Sequence, residues 1–100
     1  MSNYYDREGE PITPLEWAEL FNDADYKIIQ QDRPDGMLIS TVWRGDTNPE
    51  GEPAIFETAV FNTTEGEDGF EVWENIYRVR YHTQAEAESG HEFAKTLYGV

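Results

Sequence analysis

The residues of this chain that could do chemistry are His82, His91, Ser40 and an abundance of carboxylates. Ser40 and His91 could be combined with one of the 21 Asp and Glu residues into a hydrolytic triad, in which the histidine takes the serine proton. The surrounding sequence argues against a triad, because Ser40 lies neither in a G-x-S-x-G turn nor beside an oxyanion-type glycine loop. We therefore expect Ser40 to be a structural residue of a strand, and we predict no catalytic residue.

Metal coordination is not indicated either. The spacing of His82 and His91 matches no zinc motif, and the absence of cysteine removes thiolate ligands, disulfides and iron–sulfur clusters. The acidic segments 46–52 and 64–71 alternate oxygen side chains with glycines, but neither fits an EF-hand loop. With so many carboxylates, a glycosidase-like pair would arise by accident. We predict no metal site and no cofactor.

Both histidines have a simpler structural explanation. His91 falls on the apolar stripe of a predicted helix, where a hydrogen-bonded interior histidine is more common than a ligand. His82 lies near the end of a predicted strand and is expected to pair with Glu86 or Glu88. Neither residue is predicted to act in a reaction.

The charge of the chain is its most unusual property. The 21 acidic residues face 7 Lys and Arg, which gives a formal net charge of -14. Such a chain is repelled by nucleic acids and by anionic membranes, so we expect it to bind neither directly. Hydrophobic residues at 38% and aromatic residues at 14% indicate a folded rather than a disordered chain. No signal peptide and no membrane-spanning run are visible, and we expect a cytoplasmic protein.

Helix signals stand near both ends of the chain. Thr13, Pro14 and Glu16 form an N-cap, a favourable first helical residue and a capping box, which predict a helix over 14–22. Thr83 begins a similar pattern before a last helix, whose Gly90 would let it approach a bulky aromatic side chain closely. We predict one domain over 1–100, with residues 1–11 as a flexible N-terminal segment.

Four strand signals lie between the helices. The segments "YKIIQQDR" and "MLISTVWR" around the turn "PDG" predict a hairpin over 26–44, and "AIFETAVFN" and "FEVWENIYRVRYH" predict two more strands. The last strand is expected to be interrupted near Glu74 and Asn75. Its alternation predicts one aromatic and apolar face and one basic face, comprising Trp73, Tyr77, Val79 and Tyr81 against Arg78 and Arg80. The order α-β-β-β-β-α predicts an α+β fold, a four-stranded antiparallel meander with both helices on one face.

Four blocks of the sequence carry a resemblance that covers nearly the whole chain. They lie in three segments, of which the second holds two blocks: "YYDREGEPITPLEWAELFNDADYKI", "ISTVWRGDTNPEGEPAIFETAVF" and "RYHTQAEAESGH". In this order they resemble a family of small acidic proteins encoded by actinobacterial phages and their hosts. That family has no established biochemical function, so the resemblance implies a setting, a phage or prophage protein in the host cytosol, and no mechanism.

The chain departs from the family pattern at three places. Arg44 stands where an apolar residue is usual, and the loop "GDTNPEGEP" lacks the histidine that often follows its aspartate. The segment "TTEGEDGFEVWENIY" is longer than usual. A function that depended on that histidine would be absent here.

Three functional interpretations remain open. In the first, the charge is a solvated surface that maintains solubility. In the second, carboxylates mimic nucleic-acid phosphates and bind a basic host protein, such as a nucleic-acid-binding protein. In the third, aromatic residues on an open sheet face make the chain a structural or assembly protein that forms a homodimer. We favour the second, with these residues as its candidate contacts: Glu16, Glu19, Asp23, Asp25, Glu65, Glu67, Asp68, Glu71, Trp43 and Trp73.

Overall fold

The chain opens with a small hairpin. The computed structural model describes residues 3–34, 36–48 and 50–100. Strand β1 (Tyr4–Tyr5) pairs antiparallel with β2 (Pro11–Ile12), and the Asp6 carboxylate closes the turn by accepting two backbone N–H groups. The backbone N–H of Tyr5 donates to the carbonyl of Gly45 at 2.8 Å, which docks the hairpin on the loop that contains Gly45. Tyr4, Tyr5 and Pro11 of the N-terminal segment predicted to be flexible thus lie in strands.

Two helices follow the hairpin. Helix α1 (Pro14–Phe21) has the predicted capping box, in which the Thr13 side chain and the Glu16 side chain each accept the other's backbone N–H. A short helix α2 (Ala24–Lys27) begins at the N-cap Asp23, whose carboxylate accepts backbone N–H groups of the first turn. The predicted strand from residue 26 therefore starts later, because this Asp cap favours one more helical turn.

The four long strands form the predicted antiparallel meander. They are β3 (Ile28–Asp32), β4 (Met37–Trp43), β5 (Phe56–Glu65) and β6 (Glu71–Tyr81). The sheet order β3-β4-β5-β6 follows the chain, so that β3 and β6 are its edges. The α+β class and the meander are thus confirmed.

A β-bulge interrupts β6 where an interruption was predicted. Val60 pairs with Tyr77 but Phe61 pairs with Asn75, so Ile76 is an extra residue on β6. The side-chain amide of Asn75 fills the irregularity by donating to the Val60 carbonyl at 3.1 Å. Because one inserted residue reverses the alternation, Trp73 lies on the opposite face from Tyr77, and its predicted place on the aromatic face is wrong.

Helix α3 (Gln84–Leu97) covers one face of the sheet. Its buried side chains Ala87, His91 and Ala94 point at β4 and β5, and the predicted capping box at Thr83 is present. Helix α1 packs elsewhere: it contacts α2 and β1 at the Trp43 end of the sheet. The prediction that both helices share one face is therefore met by α3 alone, because the hairpin β1–β2 and the Trp43 ring give α1 its own apolar surface. On the other face of the four-stranded sheet, Gln31, Ser40 and Val42 line a groove with Phe21 of α1 and with Ala24 and Lys27 of α2.

Candidate functional site

His91 is the centre of a buried hydrogen-bond chain that resembles a catalytic triad in outline. Its Nε2 lies 2.6 Å from the Asp32 carboxylate and its Nδ1 lies 2.7 Å from the Thr41 hydroxyl. The Thr41 hydroxyl in turn lies 2.5 Å from that of Thr58. The strand pairing places Thr41 directly opposite Thr58 on the face that α3 covers, which brings these groups together.

The chain of donors and acceptors is complete without any substrate. Since a carboxylate only accepts, Nε2 donates to Asp32, and in the neutral ring Nδ1 then accepts from Thr41, which accepts from Thr58. The hydrogen bond from His91 and the charge of Lys95 hold the pKa of Asp32 below its ordinary value. His91, Thr41 and Thr58 are fully buried, so no substrate reaches either hydroxyl, and the network is structural. The expectation of an interior, hydrogen-bonded His91 is met.

The other candidate chemical residues are separated in the structure. Ser40 points to the opposite face from Thr41, and its hydroxyl lies 3.5 Å from the side-chain amide of Gln31. His82 is exposed, and its Nε2 lies 3.2 Å from Glu52, while its backbone N–H donates to Glu86. Within residues 3–34, 36–48 and 50–100, no three His, Asp or Glu side chains are grouped so that they could hold a metal ion.

Three arginines gather on the sheet face opposite α3. Glu57, which is only 6% exposed, pairs with Arg44 at 3.3 Å and with Arg78 at 3.5 Å. Arg80 pairs with Asp46 at 2.7 Å beside a cavity of about 410 Å³. These internal pairs engage three of the chain's seven cations, which leaves few cations to balance the carboxylates elsewhere.

Four of the predicted contact carboxylates lie on the N-terminal helices. Glu16 is the N3 residue of the α1 capping box and Asp23 is the N-cap of α2, so their charges have a structural use. Glu19 and Asp25 are exposed on the same two helices. The helices pack around the Trp43 end of the sheet.

The other four predicted contact carboxylates lie together on a projecting strand pair, residues 63–73, which we call the acidic hairpin. Strand β4 pairs with β5 only as far as Asn62, so the acidic hairpin extends beyond the sheet. It contains Glu65, Glu67, Asp68 and Glu71 and no Lys or Arg. Glu65 pairs directly with Glu71 across the strands, an arrangement in which like charges repel. The acidic hairpin thus concentrates uncompensated negative charge.

The two groups of carboxylates are far apart. Strand β5 runs from Phe56, at the end where α1 packs, to Glu65 in the acidic hairpin, which is about 30 Å at the usual rise of a strand. That separation exceeds the screening length of about 8 Å at physiological salt. The eight carboxylates named from the sequence therefore form two independent surfaces rather than one.

The two tryptophans named as contacts have different environments. Trp43 is fully buried and its indole N–H donates to the Tyr5 carbonyl at 3.0 Å, so it presents no surface to a partner. Trp73 is 44% exposed in the acidic hairpin, where it contacts Phe61 with the ring centroids 5.8 Å apart. Arg33 lies over the Trp73 ring at 5.6 Å. Of the two, only Trp73 is available for binding.

The sequence reading missed two apolar surfaces. In the acidic hairpin, Phe70 and Val72 are 73% and 54% exposed, and the signal was an apolar pair within the acidic run "EDGFEV". The second is a groove of about 640 Å³ between α3 and β6. Its lining is mainly apolar and comprises Tyr77, Val79, Tyr81, Ala85, Glu86, Ser89, Gly90 and Phe93.

Comparison of the chain with known protein families, with curated proteins and with solved structures finds no match. None of the helices in the described ranges is long and apolar enough to cross a membrane. The exposed surfaces are therefore the guide to function, and the acidic hairpin combines carboxylates with exposed apolar side chains.

Proposed function

We propose that this chain is a non-catalytic binding protein whose acidic hairpin engages a basic protein. One observation carries the proposal: a strand pair that extends beyond the sheet has four carboxylates, no cation and exposed apolar side chains. A groove that binds nucleic acid offers the complementary charge, and the carboxylates would take the place of phosphates there. The partner class is accordingly a basic, nucleic-acid-binding protein.

Repulsion between carboxylates of the acidic hairpin favours its binding to a basic partner over exposure to solvent alone. Glu65 and Glu71 oppose each other directly, which costs stability in the isolated chain. A Lys or Arg placed between the two carboxylates would convert that repulsion into two attractions. Binding to a basic surface would therefore release an unfavourable interaction as well as form new ones.

The apolar residues of the acidic hairpin would add short-range contacts to this long-range attraction. Trp73 and Phe70 are exposed beside the carboxylates, and aromatic side chains at the centre of an interface contribute most of its binding energy. Arg33 already lies over the Trp73 ring, an arrangement that a partner's arginine could extend to Phe70. Charge would then set the rate of encounter, and the aromatic residues would set the lifetime.

The biological setting in this proposal comes from the sequence resemblance. A phage or prophage accessory protein in the host cytosol would meet host nucleases, polymerases and other proteins with basic grooves. An acidic protein that occupies such a groove would inhibit the host protein by competing with its nucleic acid.

Titration with a fluorescent arginine-rich peptide tests the binding surface. We expect the triple substitution Glu65→Gln, Glu67→Gln and Glu71→Gln to weaken binding by roughly tenfold, since each exposed ion pair contributes a few tenths to about 1 kcal/mol. Asp68 is left unchanged because its carboxylate accepts the Phe70 backbone N–H in the turn. Phe70→Ser is expected to weaken binding without a change in charge.

The matched control removes the same number of charges from the other end of the molecule. Glu8, Glu10 and Glu19 are exposed and are replaced by Gln together. Binding that falls equally in the control and in the hairpin variant would contradict the proposal, because net charge alone would then explain the affinity. In a second arm, the chain should displace labelled DNA from a basic DNA-binding domain, and DNA that stays bound would reject the mimicry.

A further inference from the structure

The outer edge of the sheet at β6 lacks a strand partner and lies beside the apolar groove. Strand β6 is 11 residues long and pairs only with β5 in the described part of the chain. Long exposed edge strands are templates for pairing with another chain, and proteins usually shorten or cover them. On the α3 side of this edge, Tyr77, Val79 and Tyr81 form the floor of the groove.

Helix α3 presents an apolar stripe on the same side. Phe93 lines the groove and is 60% exposed, and Leu97, one turn further along, is 54% exposed. These side chains are not needed for the core, which α3 contacts through Ala87, His91 and Ala94. The helix therefore has two apolar faces, one against the sheet and one directed past its edge.

We propose that a second copy of this chain occupies this surface, with β6 pairing antiparallel to β6 about a two-fold axis. Such an axis, perpendicular to the sheet, keeps both α3 helices on the same face, so that Phe93 and Leu97 of the two copies pack across the junction. The two grooves become one interior, and two four-stranded sheets become one continuous sheet.

The charge pattern of β6 is complementary to itself in this arrangement. Glu71 lies at the start of the strand and Arg78 and Arg80 near its end, and the bulge at Ile76 places all three on the face opposite α3. An antiparallel pair about an axis near the middle of β6 places Glu71 of each copy beside Arg80 of the other. This complementarity selects a second copy of the chain over an unrelated strand or a helix.

The response to salt distinguishes the proposed dimer from the proposed binding of a basic protein. Two copies that each carry a net charge of -14 repel each other, and added salt screens that repulsion. We therefore expect self-association to increase with NaCl, whereas binding to a basic probe decreases. Failure of one proposal leaves the other intact, because the two responses have opposite signs.

Sedimentation of the full chain over a range of concentrations and NaCl tests the dimer. The mass should rise from 11.6 kDa towards twice that value as the protein concentration increases. At high salt this rise should begin at a lower protein concentration. The double substitution Phe93→Ser and Leu97→Ser should keep the chain monomeric without unfolding it, since both side chains are exposed. Leu15→Ser, at an exposed apolar residue of α1 outside this surface, should leave the dimer unchanged.

A charge substitution distinguishes the two-fold strand pairing from nonspecific association. Glu71→Lys lowers the net negative charge, which by general repulsion alone would strengthen self-association. In the proposed dimer it places a lysine beside the arginines of the other copy, and we expect association to weaken at least tenfold. A wild-type chain that stays at 11.6 kDa under all conditions, or a Glu71→Lys variant that associates more strongly, would overturn the proposal.

Discussion

The buried chain of hydroxyls that ends at His91 makes a stability prediction with a defined sign. Thr58 donates to Thr41, and Thr41 donates to His91, with all three residues fully buried. Replacing either threonine with valine keeps the shape of the side chain and removes only the hydroxyl. The two substitutions differ in how many polar groups each one leaves without a partner.

Thr58→Val removes one donor at the end of the chain. Thr41 still donates to His91, so we expect a loss of about 1 kcal/mol, the net contribution of one hydrogen bond. Thr41→Val removes the middle member and leaves both the His91 Nδ1 and the Thr58 hydroxyl buried without partners. At about 1–3 kcal/mol for each of these two groups, we expect a loss of roughly 2–6 kcal/mol.

The double variant Thr41→Val/Thr58→Val is the informative one. It leaves only the His91 nitrogen unpaired, so we expect it to be more stable than Thr41→Val by about 1 kcal/mol, although it has one substitution more. For a domain of this size, that difference corresponds to a shift in Tm of about 4–8 °C. Urea denaturation of the four proteins gives the unfolding free energies, with a constant m-value as the check on two-state behaviour.

Additive losses would refute this reasoning. If the double variant were destabilised by the sum of the single effects, the two hydroxyls would contribute independently and the described chain of hydrogen bonds would not explain their burial. Substitution of the exposed Thr96 by valine serves as a control for the intrinsic effect of Thr→Val in this protein.

Two further predictions concern α3 and its buried contact. Gly90→Ala should lower the unfolding free energy despite its better helix propensity, because an added methyl group would overlap the Tyr81 ring; a more stable variant in thermal denaturation would contradict that close approach. His91 and Lys95 lower the pKa of Asp32 in the folded state. The stability that this adds is complete above the ordinary aspartate pKa of about 3.9, and it is lost as the pH falls through the lower pKa of the folded state. In Asp32→Asn, the unfolding free energy from urea denaturation should fall less steeply as the pH is lowered. An unchanged fall would exclude Asp32 as its source.

Features that depend on neighbouring residues were predictable from the sequence. The capping boxes at Thr13 and Thr83 place the starts of α1 and α3 correctly, because each involves atoms only three residues apart. The meander was predictable for the same reason, since short connections join consecutive antiparallel strands. Asp23 was read as the end of a helix, although its carboxylate caps α2, because an Asp is equally common in a turn.

Features that depend on distant residues were not predictable. The partners of His91 lie 50 and 59 residues away, so its network requires the strand register and the position of α3. Trp43 appeared as available as Trp73, but the β1–β2 hairpin and α1 cover Trp43, and the bulge at Ile76 turns Trp73 to the other face. Glu65 and Glu71 lie at the ends of strands β5 and β6 rather than in a turn, and only the length of β5 shows that the eight carboxylates form two surfaces.

The most direct test of the central proposal is a map of where a basic probe binds. Backbone amide chemical shifts of the labelled chain would be followed by NMR as an arginine-rich peptide is added. We expect the largest shift changes within residues 63–73 and at the indole N–H of Trp73, and we expect these changes to diminish as NaCl is raised. Changes centred on residues 6–25, or spread evenly over all exposed carboxylates, would contradict it.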